Sequence, residues 1–360
     1  MDYYPDYYIG SMTGTSCDGS DLVLTDSSAT KCLAHSFKPY PDPLRKALLS
    51  LIKKPDCPPN IWEQCKQDYT TFLADHIKQF HHHHGIKGAR HIVGAHGQTI
   101  YHRPDHASTL QMLDSALLSR QTNCLVIYDF RSKDIELGGQ GAPLAGLYHQ
   151  YLSQLYTLSR TAWVNIGGIS NITITDPSDQ PLSYDIGPGC SLLDAHFQLH
   201  HADKSFDHND QWAQAGTCDT QLLERLSKHP FLSKPWPRSA CRNDFSLQWL
   251  QSISEGLKPA DIQCTLVHFS AKIIHMARQK HHANHTILHG GGCKHPLLWK
   301  LLADQSEIST TEQVNIDPDF FEGMLIAWLA KSYCHSEPLD THNFTGGQKH
   351  LLGRAAFMRE

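Results

Sequence analysis

The chain carries 360 residues, 40% of them hydrophobic, enough to fill the cores of two ordinary domains. Its formal net charge of -5 at pH 7 argues against a nucleic-acid binder, which presents a basic face, and no apolar run nears bilayer-spanning length. The eleven cysteines form no Cys-x-x-Cys pair and the opening MDYYPDYY lacks a basic-then-apolar leader, so reduced cytoplasmic thiols are expected rather than disulfides or a zinc centre.

Two β-rich runs, Tyr7–Gly10 and Leu22–Thr25, flank a turn of Gly, Ser and Thr closed by Asp18-Gly19. This predicts a hairpin whose tip offers amides and hydroxyls to an anion. Asp18 and Asp21 beside a phosphate would repel it without an intervening cation, which points to a Mg²⁺-nucleotide site. An ordinary polar turn fits the same residues. No Gly-Lys-Ser/Thr follows the glycines, which excludes a Walker A loop. Leu44, Leu48, Leu51 and Ile52 then mark an amphipathic helix ending before Pro55, and Trp62 to Phe80 continue at helical spacing to Gly85. Within this stretch His81–His84 read as a solvated helix end, with adventitious metal binding at most. Short strands follow at His91–Gly94 and Leu125–Tyr128, the latter running into DFRSKD and LGGQGAP.

The strand, Gly/Ser turn, strand layout recurs in AWVNIGGISNITITD, residues 162–176, which suggests an internal duplication with a boundary near Asp129–Gly141 and a cleft between the halves. SYDIGPG predicts a strand ending at Asp185, with a glycine turn and a helix N-terminus suited to phosphate. A helix through Leu266, Phe269, Ile273 and Ala277 leads to strand Thr286–His289 and the turn Gly290-Gly291-Gly292, and Phe320 to Trp328 form a late helix. Strands alternating with helices indicate an α/β protein. Taken singly, each glycine turn fits a plain loop, His96 a core histidine, and Arg131 with Asp134 a surface pair. Two phosphate-type turns, a buried-looking Asp at a strand end, and the polar set His96, Gln98, Asp129, Arg131 and Asp134 together favour phosphoryl transfer.

In these segments the chain resembles the anhydro-N-acetylmuramic acid kinases, of the acetate/sugar kinase, heat-shock ATPase and actin superfamily. The resemblance spans nearly the whole chain. It rests on MTGTSCDGSD (12–21), GAHGQTIYHRP (94–104), VIYDFRSKDIELGGQGAPL (126–144), VNIGGISNIT (164–173), YDIGPG (184–189), LHGGG (288–292) and FFEGMLIAWLA (320–330). It implies two actin-like ATPase domains of duplicated ribonuclease H-like fold, 1–130 with a tail of about 340–360, and 131–339, with sugar and ATP bound in the cleft between them. It implies hydrolytic opening of a 1,6-anhydro bridge and phosphorylation of the 6-oxygen, giving N-acetylmuramic acid 6-phosphate in cell-wall recycling. By matching motifs, Gly14, Thr15, Ser16, Cys17, Asp18, Gly19, Ser20 and Asp21 would cradle the phosphates, with Asp18 holding Mg²⁺ through water. Gly167, Gly168, Gly187, Gly189, Gly290, Gly291 and Gly292 would line the nucleotide, Asp185 would activate water, and Gln98, Asp129 and Arg131 would face the sugar.

Several positions depart from the family pattern. Thr13 replaces Ser, Leu113 and Asp210 each replace Gly, His295 replaces Asn, and RSACRND (238–244) replaces KSTGRE. These changes are expected to touch peripheral loops and affinity, since Asp18, Arg131 and Asp185 remain. A kinase for another sugar and a catalytically weakened nucleotide-binding regulator are the competing readings. A cytoplasmic homodimer is the expected assembly, with no membrane partner.

Overall fold

The strands β1 (Tyr7–Met12) and β2 (Gly19–Asp26) pair antiparallel, Met12 opposite Asp21, so the predicted hairpin forms and extends toward its tip. In this computed structural model residues 5–14, 17–86, 91–236, 238–240 and 242–357 are described; Thr15 and Ser16 of the tip lie outside them. After β3 (Cys32–Pro39), the chain adds β4 (His91–Ala95) parallel to β1. The strands β5 (Gln98–Arg103) and β6 (Ser108–Met112) form a separate small hairpin, and β7 (Leu125–Tyr128) pairs parallel with β4.

A second sheet begins with β8 (Thr161–Ile166) and β9 (Ile169–Thr175), again an antiparallel hairpin. The strand β10 (Leu182–Pro188) extends the meander, and β11 (His285–His289) and β12 (Glu307–Thr310) complete the sheet in parallel with β8. The chain ends with a short pair, β13 (Leu339–Asp340) and β14 (Lys349–His350), and with β15 (Arg354–Ala356), which pairs antiparallel with β7. The strand orders are β15-β7-β4-β1-β2-β3 and β10-β9-β8-β11-β12. In both, an antiparallel meander is followed by parallel strands added beyond its first strand, so the duplication legible in the two glycine-turned hairpins is real. The two sheets thus repeat one arrangement in a mixed α/β chain, as the resemblance implies.

Two compact units result, Met1–Tyr148 with Phe320–Glu360, and His149–Asp319. The segment Asp129–Gly141 therefore lies inside the first unit, and the chain crosses to the second at Tyr148/His149. In the first unit Ile9, Leu22, Val93 and Val126 of the sheet share a core with Leu48 of helix Asp42–Lys53 and with Tyr69, Leu73 and Ile77 of helix Pro59–His83. The helix Phe321–Cys334 crosses β1 and β4. It approaches so closely that a Cβ on Gly10 would sit 1.9 Å from the Gly323 carbonyl oxygen, and one on Gly94 2.7 Å from that of Ile326. In the second unit Val164, Ile172, Ile186 and Leu288 of the sheet share a core with Leu266, Phe269 and Ile274 of helix Pro259–Lys280. Asp185 is not at a strand end: β10 continues to Pro188, with a register break between Asp185 and Gly187. The reason is local. Gly187 adopts φ +152°, which lets the strand bulge and resume rather than stop at the carboxylate.

Candidate active site

The hairpin tip of the first unit is fixed from behind by buried polar side chains. Thr13 Oγ1 donates to the Gly97 carbonyl at 3.0 Å, and Gln98 Nε2 donates to that of Gly14 at 3.1 Å. Gln98, fully buried, accepts from the Tyr40 hydroxyl at 3.1 Å, so both ends of its amide are engaged in holding the tip. Arg45 Nε donates to the Cys17 carbonyl at 3.0 Å, and Tyr40 N–H to that of Asp18 at 3.0 Å. Cys17, at φ +52°, is buried, whereas Asp18 is exposed beyond these anchors; Gly19 and Ser20 are buried, and Asp21 is partly so.

Beside the tip, at the C-terminal end of β4, His96 Nδ1 donates to Gly97 O at 2.8 Å, which leaves Nε2 to accept from Arg131 Nε at 3.0 Å. Burial, helped by the Arg131 charge, pushes the His96 imidazole down to about 3, so it stays neutral and can accept this bond. Arg131 also donates through Nη1 to Gly141 O at 2.7 Å. Of the charges acting on it Glu322 weighs most, ahead of Asp134; burial raises the Glu322 carboxyl and Arg131 draws it back down. Asp129 and Asp134 do different work. Asp129 receives the Ser132 amide at 3.2 Å and pairs with Arg354 at 3.0 Å. Asp134, fully buried, receives the Gly141 amide at 2.7 Å and the Thr345 hydroxyl at 3.0 Å, tying the glycine loop to the C-terminal segment.

In the second unit Asp185 Oδ2 accepts the Ala240 amide at 2.7 Å, and its backbone carbonyl accepts Arg238 Nε at 2.9 Å. Burial pushes the carboxyl up to about 6, against the pull of the Ala240 amide and the Arg238 charge, with Asp244 adding a small rise. Arg238 is itself held by the Leu232 and Lys234 carbonyls at 2.8 and 3.0 Å and lies over the rings of Tyr184 and Phe231. The glycine turns around Asp185 interlock. The amides of Gly189, Cys190 and Ser191, which open helix Cys190–His200, donate to Gly168, Gly167 and Gly168 carbonyls at 3.0, 2.8 and 3.2 Å. Gly167 and Gly168 thus act as acceptors, and much of the helix end expected to receive phosphate is already satisfied from within.

The Gly290–Gly292 turn separates three causes for glycine. Gly290 has φ +81°, and a Cβ there would lie 2.3 Å from Asn165 Oδ1. A Cβ on Gly292 would meet Ile166 Cγ2 at 2.1 Å, whereas one on Gly291 would enter open space. Packing therefore accounts for Gly290 and Gly292, and Gly291 leaves bare backbone facing outward.

Residues 6–358 match the anhydro-N-acetylmuramic acid kinase family. The chain belongs to that family. A member from Pasteurella multocida is 34% identical, covering 98% of this chain and 97% of its own. One from Neisseria meningitidis serogroup C is 34% identical with 97% and 98% covered, and one from Photobacterium profundum 35% with 94% and 95%.

The departures from the family pattern are not scattered. Asp210 and His295 meet: His295 Nδ1 lies 2.5 Å from Asp210 Oδ1, and Asp210 Oδ2 accepts the Leu297 amide at 2.8 Å at the start of helix Pro296–Ala303. Asp210 has φ +53°, the conformation in which glycine is at ease and Asp is tolerated. Burial alone would lower the His295 imidazole, but its bonds to Asp210 and Cys190 hold it well above its ordinary value. The residues 238–244 are not peripheral either, because Arg238 and Ala240 are the groups that bind Asp185. Sequence reasoning missed these contacts and Glu322. The last left a signal, a lone carboxylate inside the apolar run FFEGMLIAWLA.

Proposed function

We infer that this chain is an ATP-dependent anhydro-N-acetylmuramic acid kinase that opens the 1,6-anhydro bridge with water and delivers N-acetylmuramic acid 6-phosphate in peptidoglycan recycling. Near full-length family membership supports the activity, and Asp185 carries the mechanism. A carboxylate held near pH 6, with one oxygen fixed by Ala240, is a base matched to neutral solution. Asp185 takes a proton from water as the water oxygen bonds to the anomeric carbon. The bond from that carbon to the 6-oxygen breaks, and the 6-oxygen bonds to the γ-phosphorus as the bond to ADP breaks. The transferred phosphoryl group captures the departing oxygen, so no separate general acid is required.

The outward-facing backbone of Gly291 suits close approach of a nucleotide, with Gly290 and Gly292 holding the turn rigid. The anchored residues Gly14 and Cys17–Asp21 flank the expected phosphate site, and the exposed carboxylate of Asp18 would be the group that holds Mg²⁺. When bound, such an ion would supply charge neutralisation for phosphoryl transfer. Arg131, oriented by His96 and the Gly141 carbonyl, supplies a fixed cation on the sugar side. Asp18→Asn is expected to cut turnover strongly and raise the Mg²⁺ concentration needed; an unchanged dependence removes Asp18 from the metal. Cytoplasmic action as a homodimer completes the reading, checked by fractionation and sedimentation.

The deciding experiment uses isotopically labelled water. ADP release should require the anhydro sugar, and one labelled oxygen should appear on the anomeric carbon of product analysed before ring-opening exchange. Label absent from that carbon, or equal turnover with ordinary hexoses, overturns the reading.

A further inference from the structure

The run His81–His84 reads in sequence as a solvated helix end, and His82, His83 and His84 are indeed exposed. His81 is different. It turns inward from the last turn of helix Pro59–His83 toward His91, the first residue of β4, and toward Cys124, the residue before β7. One ligand atom from each of the three lies within 4.8 Å of the others. Cys124 Sγ is 3.0 Å from His91 Nε2, and the His81 and His91 rings stand edge to face with centroids 4.2 Å apart. Cys124 is 2% exposed, and His81 Nε2 is buried with no hydrogen-bond partner among the described residues.

A buried imidazole nitrogen without a partner is costly, and here its ring stands beside a second imidazole and a thiol. Two imidazoles and one thiolate form a borderline-soft donor set that suits Zn²⁺ or a similar transition ion, and not Mg²⁺ or Ca²⁺. Donors around a tetrahedral Zn²⁺ lie about 3.3–3.6 Å apart, by the usual Zn–N and Zn–S lengths. The Cys124–His91 pair, at 3.0 Å, has to open slightly, and the wider pairs, at up to 4.8 Å, have to close by roughly 1 Å, both within reach of side-chain rotation.

We propose that His81, His91 and Cys124 form a Zn²⁺-class metal site that fastens the end of helix Pro59–His83 to the sheet. On binding, the thiol proton passes to solvent, the three donors bond to the metal, and water completes the tetrahedron. The site is remote from the chemistry. In the parallel strands β1, β4 and β7 the hairpin tip, His96 and Arg131 follow the C-terminal ends, while Tyr7, His91 and Leu125 mark the opposite edge. Five residues of strand separate the two edges by about 15 Å. The role is therefore structural, which none of the motifs for phosphoryl transfer contains.

The test loads reduced, metal-free full-length protein with Zn²⁺ and, separately, with Co²⁺. One equivalent of Zn²⁺ should raise Tm by at least about 3 °C. Co²⁺ should give a thiolate-to-metal charge-transfer band and tetrahedral visible absorption. Cys124→Ser and His81→Gln should each lose the band and the Tm shift while kinase turnover without added Zn²⁺ stays at the parent level. A variant with His82, His83 and His84 all changed to Ala should keep both. Binding that survives in Cys124→Ser, that disappears in the triple variant, or that never reaches one equivalent overturns the site.

Discussion

Asp185 sits where burial and bonding oppose one another, and the balance sets the pH at which it can work. A solvent-exposed Asp titrates near 3.9; here burial prevails over the Ala240 amide and the Arg238 charge and moves the group up to about 6. A base must be deprotonated, so kcat/KM is expected to fall below about pH 6. Asp185→Asn should lose that limb and at least about a hundredfold in turnover. Its fold should survive, because the Asn carbonyl still accepts from Ala240 and no charge is buried. The sign for stability is consistent: a raised carboxyl favours the folded state below about 3.8 and loses that contribution as pH rises through 6. A parent-like pH profile in the variant removes Asp185 as the base. Asp210 and His295 illustrate coupling rather than titration. Asp210→Gly alone leaves a neutral His295 with Nδ1 unsatisfied and the Leu297 amide without its acceptor, and should cost about 1–3 kcal/mol, whereas adding His295→Asn restores the family pair and should recover most of it. A double-mutant cycle in urea measures this; additive losses would mean that the two are not paired. The raised His295 also contributes stability that is complete below pH 6.5 and declines as pH climbs above it.

At the scale of elements, the Gly290–Gly292 turn gives the sharpest separation of folding from binding. Gly291→Ala adds a methyl to open space and should leave Tm unchanged while raising the KM for ATP about tenfold, an effect of about 1.4 kcal/mol. An unchanged KM would show that no nucleotide approaches there. Both hairpins, β1–β2 and β8–β9, were legible because β-rich runs flanking Gly, Ser and Asp encode strand and turn within a few residues. Helices Asp42–Lys53 and Pro59–His83 were equally readable, from apolar spacing punctuated by proline and glycine. Asp185 was expected at a strand end but lies within β10, since a bulge at Gly187 looks in sequence like a turn. The grip of Arg238 and Ala240 on Asp185 spans 53 and 55 residues, and no local pattern carries it. The pairing of Asp210 with His295 is hidden for the same reason, although each residue stood out alone as a departure.

For the whole molecule, the first unit is discontinuous: five of its sheet's six strands are laid down by residue 128, but the helix that covers β1 and β4 begins at Phe321 and β15 follows at Arg354. Removing everything after Asp319 should therefore leave a soluble second unit at best and an aggregating first one, read by limited proteolysis and dye binding. A truncated first unit that stays monomeric and protected would refute this. The bare backbone where Gly10 meets Gly323 has a consequence in time. On a ribosome adding about 5–20 residues per second, the groove over Gly10 waits roughly 10–30 s for its helix while the second unit is made. Tyr8 and Ile92, which alternate onto the same face as Gly10 and Gly94 and are fully buried in the finished unit, stay uncovered during that wait. Nascent-chain crosslinking should find chaperones on this face until Phe321–Cys334 has left the exit tunnel.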